Sequence, residues 1–376
     1  MPSAPLLTSS SRRSLTIGGL IFILLTVAVF SYQFYRIQAG DDLPRIDQLR
    51  WTYLILIFCF LPLEALVLGL RMWIMCRVLQ PGISFWTCFE ADLASSGIAI
   101  LTPSQIGGGP GQIYILNRGG ARLATALNAS LLAFIGTMLA LLGCGLYALF
   151  VSDFGHVGPM FVGAVLILAL ISGSMVFFGL CPGFFRAGIA AVSRIIWKMR
   201  GKKYLLKDWW PPDHPRSGSP ADRMDSFSCE LADLVYTFRA DLRQYLRRGK
   251  ISFVIVCLLS FTFLVSRCLL AYFCVRFLGI EVSTIGIILG NQIALLFLTY
   301  LSPTPGNAGV AEGASAWIME NIVPLGFAPY YNLLWRLSTV YIAAAAGLIL
   351  LFHRIVVDHC YFNKSKFASI HLSKKS

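Results

Sequence analysis

Charge is scarce in this sequence, and acidic charge is scarcest. Asp, Glu, Lys and Arg make up 13% of its 376 residues, about half the share found in a soluble domain. Hydrophobic residues reach 57% and the mean hydropathy is +0.71, so a water-soluble globule is excluded and an integral membrane protein remains. Eighteen acidic residues stand against 31 basic ones, a net charge of +13. The basic residues cluster between apolar runs, which is the positive-inside pattern. They form no basic and aromatic unit of the kind that nucleic-acid binding needs, so no nucleic-acid partner is expected.

The catalytic and cofactor signatures are also missing. None of the ten cysteines forms a C-x-x-C pair, and Cys59, Cys76, Cys88, Cys144, Cys257, Cys268 and Cys274 lie in apolar runs, where they read as small buried hydrophobes. The five histidines are scattered; His353, His359 and Cys360 come near one another at spacings that do not share a helix face, so no metal site is expected. There is no G-x-x-x-x-G-K-[ST] and no G-x-G-x-x-G loop, and no Ser, His and Asp arrangement for hydrolysis. No cofactor is expected, and nothing in the residues supports catalysis. Arg12-Arg13 precedes a long apolar run without a small-x-small cleavage site, so it reads as an anchor of the first helix rather than an export signal.

What is present is a set of apolar runs: 15–35, 51–70, 86–102, 123–151, 157–181, 251–278, 284–302 and 330–352, with a mixed stretch at 308–323. A bilayer-spanning helix needs roughly 20 such residues. Residues 182–250 carry 14 Lys and Arg and are therefore expected in the cytoplasm, as are residues 1–14 and the basic tail 356–376. Within that insert, 184–199 reads as an interfacial amphipathic helix or an ordinary loop helix, 208–220 as a connector, and 222–248 as a polar helix. With both termini inside, the two halves, 15–181 and 251–355, each cross an even number of times. The segments 86–116 and 284–323 must then enter and leave by the same face. Their middles are Leu101-Thr102-Pro103-Ser104-Gln105-Ile106-Gly107-Gly108-Gly109-Pro110-Gly111 and Leu301-Ser302-Pro303-Thr304-Pro305-Gly306-Asn307-Ala308-Gly309, which cannot continue a helix. Arg71 lies 32 residues before Pro103, and Arg267 lies 36 before Pro303. The expected fold is thus an all-α polytopic bundle, about six full spans plus two re-entrant broken-helix hairpins in an inverted repeat.

Non-helical backbone at membrane depth needs protein or a water-filled cavity around it, so the two turns are expected to meet around a polar cavity. The half-helices that start after each turn would direct free N–H groups at an anion there. Charged residues within apolar runs are functional candidates: Glu64, Arg71, Glu90, Asp92, Arg267, Glu312 and Arg336. Arg71, Glu90 and Asp92 are expected toward the cytoplasmic ends, where each is either a snorkelling interfacial residue or a substrate contact. Glu312, Arg267 and Arg336 are expected to lie deeper, in a substrate role or as ion pairs between helices.

The run Pro103 to Gln112, the run Pro303 to Gly313 and the later Leu334-Trp335-Arg336-Leu337 together resemble the transmembrane region of lysylphosphatidylglycerol synthases. The resemblance implies a flippase-like region, and a stand-alone member without the soluble domain that transfers an aminoacyl group from tRNA. Members of this kind are associated with phospholipid, polyprenyl-lipid or hopanoid pathways. The expected function is therefore movement of a phosphate-bearing lipid across the inner, cytoplasmic membrane. The substrate-binding candidates are Arg71, Pro103, Ser104, Gly107, Gly108, Gly109, Gln112, Arg118, Arg267, Pro303, Thr304, Pro305, Gly306, Gly309, Glu312 and Arg336. The alternative is a non-transporting scaffold subunit that holds a lipid-modifying or glycosyl-transfer enzyme through residues 182–250.

Overall fold

The computed structural model describes residues 9–37, 43–102, 107–151, 158–180, 237, 240–245, 247–282 and 284–373. Among these there are helices and turns and no strand. In chain order the helices are α1 (Ser9–Tyr35), α2 (Trp51–Leu79), α3 (Phe85–Ala99), α4 (Gly108–Arg118), α5 (Leu123–Val151), α6 (Gly158–Leu180), α7 (Lys250–Phe277), α8 (Ile285–Leu301), α9 (Val310–Ile318), α10 (Ala328–Arg336) and α11 (Ile342–Ser373). A π-helical turn, Leu337–Tyr341, joins α10 to α11. Five helical stretches are long and apolar enough to cross a bilayer: Leu15–Tyr35, Trp51–Leu79, Leu123–Phe150, Lys250–Phe277 and Leu325–Val357. α6, with 23 residues, is also long enough. Large apolar side chains face outward from them, Leu24 at 67%, Phe150 at 89%, Leu170 at 75% and Ile251 at 77% exposed. That surface suits hydrocarbon rather than water. The chain is a multi-pass, all-α membrane protein.

The four arms around the Pro–Gly breaks are shorter. α3 and α4 have 15 and 11 residues, α8 and α9 have 17 and 9. At 1.5 Å per residue they reach about 22, 16, 25 and 13 Å, each short of the roughly 30 Å hydrocarbon core. Each pair folds back on itself. A Cβ added at Gly108 would meet Ser95, one at Gly111 would meet Ile98, and one at Gly119 would meet Thr87, so α3 and α4 run antiparallel. In the second pair, Asn291 Nδ2 donates to the Ile318 carbonyl at 3.0 Å. The glycines of the first turn are thus required by helix-to-helix approach: a Cβ on Gly108 would stand 2.7 Å from Ser95 Oγ, and one on Gly111 2.7 Å from Ile98 Cδ1. Gly109 alone has open space.

The packing repeats itself. α2 packs on α3 as α7 does on α8, α4 packs on α5 as α9 does on α10, α11 packs on α3 as α5 does on α8, and α1 packs on α10 as α6 does on α5. The repeat units are therefore α1 to α5 and α6 to α11. The equivalent helices α2 and α7 lie against each other and run antiparallel: Arg50 meets Glu281, Glu64 meets Arg267, and Arg71 meets Ser260. Seven residues on along α2 match seven back along α7, the spacing of two helical turns. Equivalent helices of opposite direction are what an inverted repeat requires.

The last helix approaches the first hairpin through glycine. A Cβ on Gly97 would stand 2.6 Å from the Leu348 nitrogen and 2.8 Å from the Gly347 carbonyl carbon, and one on Gly347 would collide with the Leu93 backbone. Two backbones come together here as small residues permit in membrane helices.

Candidate functional site

The two turns meet. Gly306, at the tip of the second hairpin, has φ +55°, and a Cβ there would lie 2.7 Å from Ile100 Cγ1 and 2.8 Å from Phe22 Cε2. Ile100 belongs to the first turn and Phe22 to α1, so both repeat units converge on one point. The Arg336–Glu312 pair reaches it through the Gly306 carbonyl, and two further arginine–carboxylate pairs, Arg267 with Glu64 and Arg71 with Asp92, lie on the helices and hairpin arms.

The second-hairpin cluster is closed. Arg336 is 1% exposed and Glu312 0%; Arg336 Nε lies 2.7 Å from Glu312 Oε1, and its Nη2 donates to the Gly306 carbonyl at 2.6 Å. The Gly309 N–H donates to Glu312 Oε2 at 2.7 Å, and Tyr341 Oη donates to Oε1 at 3.4 Å. Glu312 is thus the third residue of α9 reaching back to its N-cap, as in a capping box, and it occupies the helix N-terminus expected to be free for an anion. Gly309 has φ +82°, which a side chain disfavours, while Val29 Cγ2 is the nearest atom a Cβ would meet, at 3.7 Å. Its glycine serves the backbone of the cap, not a crowded approach. Gln33 of α1 and Asn332 of α10 both donate to the Glu312 carbonyl, at 3.2 and 3.3 Å.

The central pair is also well supported. Arg267 Nε is 3.3 Å from Glu64 Oε2, Ser266 Oγ donates to Glu64 Oε1 at 2.7 Å, and Arg267 Nη1 donates to the Thr339 carbonyl in the π-helical turn. The first-hairpin cluster is looser. Arg71 Nη1 donates to Thr137 Oγ1 at 2.6 Å and to Ser260 Oγ at 3.4 Å, whereas Nη2 lies 3.8 Å from Asp92 Oδ1. Gln112 Nε2 donates to Asp92 Oδ1 at 2.8 Å. Asp92 Oδ2 is buried with no hydrogen-bond partner among the described residues, whereas no oxygen of Glu64 or Glu312 is left so; the Nε atoms of Arg71, Arg267 and Arg336 are alike in lacking a hydrogen bond.

Of the sequence-based candidates, Gly306, Gly309, Glu312 and Arg336 come together at the second turn, Arg71 and Gln112 meet at Asp92, and Arg267 pairs with Glu64. Arg118 does not: it is exposed and donates to the Arg354 carbonyl at 3.1 Å. Thr304 sits at the second turn with its Oγ1 3.0 Å from Ser302 Oγ, beside an exposed Pro303 and a buried Pro305. Gly107 begins the first turn, donating to Thr102 Oγ1 at 2.9 Å. Pro103 and Ser104, and the helix and connector expected at 184–199 and 208–220, lie outside the described residues. Arg71 and Asp92 are each 8% exposed and face each other at 3.8 Å; Glu90 is partly exposed and paired with Arg354. Among the described residues, the second turn is packed against the Arg336–Glu312 pair, and residues 103–106 of the first turn lie outside them. Two clefts lie elsewhere, one on α11 around Phe352 and one around Arg243 and Arg247.

Sequence reasoning missed Asp92 and Gln292 as a matched set. Asp92 lies eleven residues before Pro103 and Gln112 nine after it; Gln292 lies eleven before Pro303 and Glu312 nine after it. Each hairpin carries one carboxylate and one amide at equivalent positions, in swapped order. Arg71 and Arg267 are likewise equivalent, and their partners across the axis, Ser260 and Glu64, are equivalent to each other.

These features define a polytopic membrane protein of inverted repeats whose two broken-helix hairpins meet over neutralised buried charge. The chain belongs to the family described as the lysylphosphatidylglycerol synthase TM region, which it matches over residues 16–347. It is also 23% identical over 374 residues to a "UPF0104 membrane protein" of Archaeoglobus fulgidus, covering 95% of this chain and 100% of that one. No solved structure matches.

Proposed function

We propose that this protein moves a phosphate-bearing lipid across the membrane by alternating access around the paired hairpins. The observation that carries this reading is the meeting of two hairpins, each too short to span, among helices that carry three arginine–carboxylate pairs. Charge inside a bilayer is expensive and is kept where it works on a substrate or ion pathway. Hairpins of this kind in an inverted repeat line substrate sites in secondary transporters. Arginine suits a phosphate through its planar fork of donors, and the family's name concerns a phospholipid.

Orientation is part of the proposal. The N-terminus, the insert and the tail face the cytoplasm, by the distribution of Lys and Arg, and the hairpins dip from opposite faces. In a background cleared of native cysteines, Ser217→Cys and Ser365→Cys should resist a membrane-impermeant maleimide in intact cells, and Ser283→Cys should react. Labelling of Ser217→Cys from outside would reverse the assignment.

Transport itself is tested in proteoliposomes with fluorescent phosphatidylglycerol and a quencher added outside. The wild-type protein should accelerate exchange between leaflets, and Arg71→Gln should reduce the rate at least tenfold at equal reconstitution. An unaccelerated wild-type rate would remove lipid transport as the function.

A further inference from the structure

Four carboxylates are buried among the described residues, and one of them differs. Asp241 has both oxygens occupied, by Arg122 and Thr125. Glu312 has both oxygens occupied, by the Gly309 N–H and by Arg336 with Tyr341. Glu64 has both occupied, by Ser266 and Arg267. Asp92 has one oxygen on Gln112 and the other bare, 8% exposed as a residue, with its arginine 3.8 Å away. A buried carboxylate with an unused oxygen and a loose counter-ion is built to accept something, and of the two carboxylates at the swapped acid and amide positions, Glu312 is tied into a helix cap and Asp92 is not.

Resting on the transport reading above, we propose that Asp92 is the proton carrier of this protein: a proton taken from water on one side neutralises Asp92, Arg71 then takes the lipid phosphate as its counter-ion, and one proton crosses with each singly charged anionic lipid. Charge balance dictates the stoichiometry. With Asp92 ionised, Arg71 is already neutralised, and adding a phosphate would leave a net negative charge in the membrane. With Asp92 protonated and no lipid, Arg71 would be buried unpaired. Only the two empty-handed or two loaded states are cheap, which couples the ligands without any direct contact between them. On release the proton returns to water from Asp92 and the carboxylate again faces Arg71. A metal cation is disfavoured at the same position because it would sit beside the guanidinium.

The groups facing Asp92 are few. α2 presents Arg71 and the thiol of Cys76, α4 presents Gln112, and α11 brings Arg354, which is taken up by Glu90. On α3 itself Cys88 lies one turn before Asp92 and is buried. Tyr300 of α8 lies near Arg71 and Arg267.

Proton uptake is read directly when short-chain phosphatidylglycerol is added to the purified protein in detergent, in weakly buffered solution containing a pH indicator. The wild type should take up about one proton per lipid bound, Asp92→Asn should bind lipid with no uptake, and inorganic phosphate should give none. In proteoliposomes a pH gradient should drive wild-type accumulation of the lipid in one leaflet, while Asp92→Asn should only equilibrate it. Should Asp92→Asn fail to fold, Gln112→Leu serves: losing the one hydrogen bond to the ionised carboxylate should move the pH midpoint of lipid binding up by about one unit. Equal proton uptake in wild type and Asp92→Asn, or a Gln112→Leu midpoint that does not move, would overturn the proton carrier. Uptake with inorganic phosphate would overturn the lipid as its partner. Lipid exchange by the wild type that ignores the pH gradient would overturn the coupling while leaving transport standing.

Discussion

Replacing Glu312 by Gln should destabilise the protein by about 3 to 5 kcal/mol, because it strands a guanidinium in a place with no water. Arg336 is 1% exposed and keeps only the Gly306 carbonyl and the faces of Tyr341 and Trp335, at 5.4 and 6.0 Å, once the carboxylate is neutral. The freed N–H at the start of α9, now facing an amide, adds to the loss. Arg336→Lys retains charge but cannot reach Glu312 and the Gly306 carbonyl together through one planar fork, so it should lose part of the same stability and leave the second turn less fixed. The pair itself is not the source of net stability: the double change Glu312→Gln with Arg336→Met should recover most of what the single change loses, since a matched apolar replacement of a buried pair is often neutral. Exposed charge offers the control. Arg50 and Glu281 pair at 2.8 Å with side chains 41% and 78% exposed, and Glu281→Gln should change stability by less than about 1 kcal/mol. Equilibrium unfolding in mixed micelles, run as a double-mutant cycle, measures all four. A single mutant as stable as wild type, or a double mutant no better than the single, would mean that the second turn is not held by this pair.

Much of the architecture could be read along the chain because the bilayer imposes a length on apolar runs. The run at 123–151 became α5 (Leu123–Val151), that at 157–181 became α6 (Gly158–Leu180), and that at 251–278 became α7 (Lys250–Phe277). The run at 51–70 stops short of α2, which continues to Leu79. Arg71 and Arg77 end the apolar pattern but not the helix: Arg71 is neutralised by another helix, and Arg77 lies over the Trp73 ring at 4.8 Å, an aromatic face attractive to a cation. The partners of Asp92 were illegible for the same reason: its counter-ion comes from α2 and its hydrogen bond from α4, partners that no local window contains. The close approach of Gly97 and Gly347 was invisible for want of any signal linking residues so far apart. The equivalence of Asp92 with Gln292 and of Gln112 with Glu312 was present in the sequence, readable by aligning the two prolines, and it is the feature that separates a locked hairpin from an unlocked one.

If the hairpins must part for a headgroup to pass, a covalent link between their tips should abolish transport completely and reversibly. The pair Ile100→Cys and Gly306→Cys tests this in a background without native cysteines. A Cβ on Gly306 would lie 2.7 Å from Ile100 Cγ1, which puts the two Cβ atoms at about 4 Å, within disulfide range. The reduced protein carries a cost of its own: Gly306 has φ +55°, so a side chain there bears roughly 1 to 2 kcal/mol of left-handed strain, the Phe22 ring must move aside from a Cβ that would stand 2.8 Å from its Cε2, and Ile100 loses part of its packing. Asn307 beside it already adopts φ +60° without glycine, which shows that the turn tolerates a side chain in that region. Under reducing conditions the double variant should therefore exchange lipid near the rate of Gly306→Cys alone. On oxidation exchange should fall to the protein-free rate, and reductant should restore it. The single variants report any effect of oxidant or strain. Full exchange by protein whose cross-link is verified by mass spectrometry would mean that the headgroup does not pass between the tips, and the path would then have to run along the outside of the hairpins.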